Sequence, residues 1–148
     1  MSNVTTIKGN LFDAPQGTIL IHACNCKGSW GAGIAKEFSR RYPLAYHEYR
    51  DRCLQNGSLL LGTALILSAR KNMIGCLFTS KGYGRNVGTE QSILENTRLA
   101  VEDLIKQNTG KLPLHMCKIN SGLFGVDWNK TKGILKEFKD QQFTVYDY

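Results

Sequence analysis

Two segments of the chain carry side chains whose types and spacing suit chemistry on an anion. In the first, "HACNCKGSWGAGIA" from His22 to Ala35, an imidazole, two thiols and a carboxamide come directly before a glycine-rich loop. In the second, "INSGLFGVDW" from Ile119 to Trp128, an asparagine again precedes close-spaced glycines. Glycine lets the backbone turn sharply and approach a ligand closely. Successive N–H groups exposed at a helix start bind phosphate without a basic side chain. The loops Gly28–Gly33 and Ser121–Gly125, if they face each other, would hold both phosphates of a diphosphate. Either loop taken alone is weak evidence, because a glycine turn is more often merely structural. Neither contains G-x-x-x-x-G-K-[ST]. No G-x-G-x-x-G opens the first βαβ unit with an acidic residue about 20 positions on, which disfavours a dinucleotide-binding Rossmann domain.

The side chains beside the first loop divide by chemistry. Imidazole as a group switches charge near neutral pH, which makes His22 the leading candidate to move a proton at a reacting group. The competing reading is a core histidine with one satisfied hydrogen bond. Asn25 does not titrate usefully, and its expected role is to orient a water or a hydroxyl. Cys24 ranks behind His22 as a nucleophile, because nothing in the local sequence lowers its pKa. Asp127 either positions water or caps a helix. Trp30 either covers the site or packs.

Strands and helices must position these loops. "TILIHACN", Thr18 to Asn25, is a nearly continuous apolar run suited to a central strand buried on both faces. Further strands are expected over Val4–Gly9, Gly62–Ala69, Met73–Ser80, Leu112–Asn120 and Phe143–Tyr148. Gly62–Ala69 and Met73–Ser80 read as a hairpin across Arg70-Lys71-Asn72. Pro113 marks the start of its strand or a sheet edge. Helices are expected over Ile34–Tyr42, Pro43–Leu54, Thr89–Gln107 and Asn129–Lys139. In the third, Ile93, Leu94, Thr97, Ala100, Val101, Leu104 and Ile105 form an amphipathic stripe. Thr89 reads as its N-cap and Ser92-x-x-Glu95 as a capping box. Alternating strands and helices imply an α/β fold: a three-layer α/β/α sandwich around a central mixed sheet.

The 148 residues suit one domain, 1–148, large enough to bury a core. The net charge of +7 favours an anionic partner. The positive residues are scattered, so nucleic acid is not the expected main ligand. No apolar run approaches the roughly 18–20 residues that span a bilayer, and no secretory signal is visible. Five cysteines without a signal peptide suggest reduced thiols, in the cytoplasm or nucleus. Cys24 and Cys26 are spaced C-x-C, and no second pair has zinc-finger spacing, so no metal site is expected.

Four segments in order, "KGNLF" (Lys8–Phe12), "HACNCKGSWGAGIA", "INSGLFGVDW" and "FTVY" near the end, resemble the macrodomain family across essentially the whole chain. The likeness is to the small branch that includes the ADP-ribose 1''-phosphate phosphatases. It implies ADP-ribose as ligand. An acidic residue that holds the adenine amino group in macrodomains falls here on Asn10, a departure. Asn10 can still accept a hydrogen bond through its carbonyl. Gly9 and Leu11 would border the same end, with Tyr146 beside the adenine ring. Asn25 matches an asparagine placed beside the distal ribose. Gly31, Ala32, Gly33 and Ile34, with Cys24, would wrap the ribose and one phosphate. Asn120, Ser121, Gly122, Leu123, Phe124 and Gly125 would cradle the diphosphate, with Phe124 against the distal ribose.

A related branch removes ADP-ribose from glutamate with a lysine and an aspartate. Those positions correspond here to Ser80 and Phe124, which argues against a lysyl intermediate. The expected activity is therefore hydrolysis of ADP-ribose 1''-phosphate to ADP-ribose and phosphate, with His22 and Asn25 as catalytic candidates. The alternatives are an ADP-ribose-binding module and a hydrolase acting on ADP-ribosylated proteins. No cofactor is expected, and the expected state is a monomer.

Overall fold

The computed structural model describes residues 2–147. Six strands form one sheet: β1 (Val4–Lys8), β2 (Ile19–Asn25), β3 (Ala64–Ser68), β4 (Met73–Ser80), β5 (Leu114–Met116) and β6 (Phe143–Asp147). Their order is β1-β6-β5-β2-β4-β3. All neighbours run parallel except β3 and β4, the expected hairpin. The helices are α1 (Gly33–Arg41), α2 (Pro43–Asn56), α3 (Glu90–Gln107) and α4 (Trp128–Lys136). One core layer joins α1 and α2 to the sheet through Phe38, Tyr49, Leu20, Ile74 and Phe78. The other joins α3 and α4 to the opposite face through Val101, Leu104, Leu135, Ile19, Ile21 and Val145. The three-layer expectation therefore holds.

The apolar run of β2 explains its central place. Ile19 and Ile21 feed one layer while Leu20 and Cys24 feed the other, as period-2 alternation requires. Pro43 opens α2 at a position where its missing N–H costs nothing. At the middle of β4, Gly75 lets α3 lie close to the sheet. A Cβ there would sit 3.0 Å from Ile19 Cγ2 and 3.3 Å from Leu104 Cδ1. Gly75→Ala should therefore lower stability by about 1–3 kcal/mol through overpacking. Chemical denaturation reads this directly, and an unchanged midpoint refutes the close approach.

Several boundaries differ from expectation. β5 is three residues long, not nine. Pro113 has no N–H for the ladder, although its carbonyl still accepts from Ile19 N at 2.9 Å. Past Met116 the chain leaves the sheet, reaching a left-handed backbone at Asn120 (φ 65°). The Ser92–Glu95 capping box does not form. Thr89 caps α3 by accepting from Ser92 N at 3.2 Å, and Glu95 pairs with Arg98 instead. α4 stops at Lys136, short of Lys139. Past it the chain continues in i+3 turns, Glu137 N to Ile134 O at 3.0 Å and Phe138 N to Leu135 O at 3.1 Å, and the buried Asn3 amide donates to the carbonyls of Leu135, Phe138 and Gln141. The final expected strand residue, Tyr148, lies outside the described residues.

Candidate functional site

Chain reversals at the carboxyl ends of β2 and β5 bring the two glycine loops together, where open α/β sheets bind ligands. A Cβ placed on Gly33 would lie 4.0 Å from Leu123 Cδ1 of the second loop, so the two turns converge. Between them is a cavity of about 740 Å³, well within the roughly 300–1,000 Å³ typical of small-molecule sites. Its walls include His22, Cys24, Asn25 and the run Ser29–Ala35 on one side. Cys117–Phe124 face them, with Tyr83, Tyr146 and Asp147 at the margins.

The first loop is held in shape by Asn25. Its Oδ1 accepts from Lys27 N at 3.0 Å and from Ser29 N at 3.3 Å, and its Nδ2 donates to Ser29 O at 2.8 Å. Tyr49 Oη, from α2, reaches Asn25 O at 2.7 Å and Oδ1 at 3.1 Å. Most of the carboxamide is thus spent on the turn, and one Nδ2 hydrogen is left for a ligand. Gly33 starts α1 at φ 60°, a left-handed conformation that a side chain would strain.

The second loop hangs on Asn120. Its Oδ1 accepts from Thr79 Oγ1 at 2.9 Å, and its Nδ2 donates to Thr97 Oγ1 at 2.9 Å. Thr97 in turn donates to Ile93 O at 2.7 Å. Strand β4 and helix α3 therefore fix a residue at the start of the diphosphate-cradle candidate. Val126 N closes the loop onto Asn120 O at 2.9 Å.

His22 is buried. Its ring stacks on Phe38 with centroids 4.1 Å apart, meets Trp30 edge-on at 4.8 Å, and lies 3.5 Å from Cys24 Sγ through Nε2. Burial pushes the Cys24 thiol well above its ordinary pKa, and the neighbouring Cys76 thiol adds to the rise, so Cys24 is a poor nucleophile at neutral pH. Burial likewise lifts Cys117 to about 11. Trp30 packs, stacking on Tyr49 at 4.7 Å, while also bounding the cavity. Asp127 caps α4 by accepting from Asn129 N at 2.9 Å, the plain helix-start reading.

Not every expected residue lies on the cavity wall. Gly9, Asn10, Leu11 and Gly125 are set back from it. Asn10 Oδ1 accepts from Phe12 N at 3.0 Å, capping a 3-10 turn. Leu11 is in the core, and Gly9 backs onto the Tyr146 ring. Tyr146 does line the cavity, its hydroxyl 2.8 Å from His115 Nδ1. Ser80, aligned with the lysine of the de-ADP-ribosylating branch, donates to Gly82 O at 2.7 Å and accepts from Gly88 N at 2.9 Å. It closes its own loop, and Lys81 beside it is exposed.

Sequence reasoning missed Tyr83, Cys117 and Lys118 as wall residues. The glycine-rich "KGYGRNVG" was the available signal for Tyr83. It also missed a cluster that linear spacing does not display. The register pairs His22 with Cys76, and Cys24 lies on the same face, so the three sets of ligand atoms fall within 4.8 Å of one another.

Known proteins share this architecture. Residues 21–135 match the family model described as Macro domain. A protein of Saccharomyces cerevisiae named ADP-ribose 1''-phosphate phosphatase is 41% identical over 175 aligned residues, covering 99% of each chain. A Lodderomyces elongisporus protein of the same name is 42% identical over 160, covering 97% of each. The macrodomain of Mycobacterium tuberculosis DarG superposes with a TM-score of 0.80 at 22% identity, covering 98% of this chain and 97% of that one, a likeness of fold. Facing glycine loops on a mixed sheet, a match over most of the chain and full-length relatives agree: this chain belongs to the Macro domain family.

Proposed function

We propose that the protein hydrolyses the phosphomonoester of ADP-ribose 1''-phosphate, releasing ADP-ribose and inorganic phosphate. The observation that carries the reaction is the full-length likeness to several relatives bearing that name. The cavity supplies the means. Main-chain amides of the two loops grip the diphosphate, so binding energy from the remote part of the substrate positions the reacting phosphate. Asn25 holds the first loop, and its free Nδ2 hydrogen meets the distal ribose or its phosphate. His22 is the proton-handling group: water attacks phosphorus, the bond from phosphorus to the anomeric oxygen breaks, and the departing oxygen takes a proton. Free buried thiols at Cys24, Cys26, Cys53 and Cys76 suit a reducing compartment such as the cytoplasm or nucleus.

Purified protein incubated with ADP-ribose 1''-phosphate should release phosphate saturably. Asn25→Ala should cut kcat/KM by about 100-fold or more, because it removes the three hydrogen bonds to Lys27 and Ser29 that shape the first loop. Each such bond lost costs about 0.5–1.5 kcal/mol. Tight ADP-ribose binding without phosphate release would mark a binding module instead. Release of ADP-ribose from a modified protein would mark a protein de-ADP-ribosylase.

A further inference from the structure

We propose that His22, Cys24 and Cys76 form a binding site for a thiophilic divalent cation, Zn²⁺, in the core layer beneath the catalytic cavity. The three residues are each at most 2% exposed, and their ligand atoms all lie within 4.8 Å of one another. Cys24 Sγ is 3.5 Å from His22 Nε2 and 3.7 Å from Nδ1. Zinc bonds of about 2.3 Å to sulfur and about 2.0 Å to nitrogen, at tetrahedral angles, place the two donors about 3.6 Å apart. Cys24 and His22 are therefore already at the separation a bound metal requires, and the Cys76 sulfur lies within 4.8 Å of both. The near-equal distances to both ring nitrogens mean that the imidazole must swing to aim one lone pair at the metal. That motion gives up part of its stack on Phe38.

Other chemistries fit worse. A disulfide between Cys24 and Cys76 is disfavoured by register: Cys76 pairs with His22, and Cys24 pairs with Phe78, two residues further along. Two residues of strand is about 6.6 Å, added to an interstrand spacing of about 4.8 Å, which takes the Cα atoms beyond the roughly 7 Å a disulfide tolerates. Magnesium and calcium require oxygen ligands, and this donor set has none. Cu⁺ with two thiolates would leave a net negative charge in an apolar layer, whereas Zn²⁺ with two thiolates and a neutral imidazole is neutral. Binding converts two thiols into thiolates and releases two protons to water. His22 and Cys24 also line the cavity, so the fourth coordination position opens towards it and takes a water. A metal holding the His22 ring nitrogen removes it from proton transfer, so zinc occupancy inhibits phosphate release. That last consequence rests on the phosphatase reading; the site itself does not.

The test titrates the metal-free, reduced full-length protein with Co²⁺ as spectroscopic probe, then with Zn²⁺. One equivalent per chain should produce thiolate-to-cobalt charge-transfer absorption that Zn²⁺ abolishes. Cys76→Ser should lower Zn²⁺ affinity by about 100-fold or more, and Cys117→Ser should leave it intact. Adding one equivalent of Zn²⁺ to the wild-type protein in weak buffer should release two protons per chain, one from each thiol. This keeps the question decidable if Cys76→Ser fails to fold. Absence of the charge-transfer band, its survival in folded Cys76→Ser, or zinc uptake without release of two protons overturns the site. Phosphate release should fall at one equivalent of Zn²⁺ and return with a chelator. Full turnover at saturating zinc overturns the inhibition and leaves the site to the binding data.

Discussion

His22→Gln is expected to lower kcat for phosphate release by about 100- to 10,000-fold, the usual span for losing a positioned acid or base. Affinity for ADP-ribose should stay within a few-fold of the wild type, because the groups proposed to grip the diphosphate are backbone amides of the two loops. Glutamine approximates the volume of the imidazole but cannot take up and return a proton. Loss of the ring stacked 4.1 Å from Phe38 removes an aromatic contact worth about 0.5–1.5 kcal/mol, and the buried carboxamide left without partners costs about 1–3 kcal/mol more. Steady-state phosphate release and calorimetry with ADP-ribose separate these effects. A variant that turns over at the wild-type rate would reduce His22 to a core histidine. One that loses affinity and turnover equally would make it a structural support.

Asn120→Asp should weaken ADP-ribose binding by about 100-fold or more. The side chain is buried, and its Nδ2 donates to Thr97 Oγ1 while its Oδ1 accepts from Thr79 Oγ1. A carboxylate cannot make the first of these bonds. It also puts a negative charge at the start of the loop proposed to hold the diphosphate. Repulsion between unit charges about 5 Å apart at an effective dielectric of 20 is about 3 kcal/mol, which alone accounts for a factor of about 100. Asn120→Gly is the control. Glycine accepts the φ of 65° without strain and adds no charge, so it should lose stability from the two orphaned threonines and affinity by only about 10-fold. Equal weakening in both variants would show that the network, and not the charge, governs the loop.

Much of this site could be read along the chain because its signals are local. The apolar run into His22 marks a strand buried on both faces, and the glycines after it mark a turn into a helix. Asp127, Thr89 and Pro43 announce helix starts for reasons contained within three or four residues. Asn10 was placed near the ligand by resemblance, whereas in the structure its carbonyl caps the next turn and the residue stands behind the cavity wall. The short β5 was missed because Pro113 and the turn at Asn120 divide an apolar stretch that reads as continuous.

The amino-acid sequence by itself determined the alternation of strands and helices, the two glycine turns and the family. Each depends on periodicity or on conformational freedom within a few consecutive residues. Only the tertiary structure decided that Asn120 is pinned between Thr79 and Thr97, and that Cys76 meets His22 and Cys24. Those meetings depend on which strands pair and in what register. Side-chain packing between distant segments sets that choice, and no local pattern encodes it.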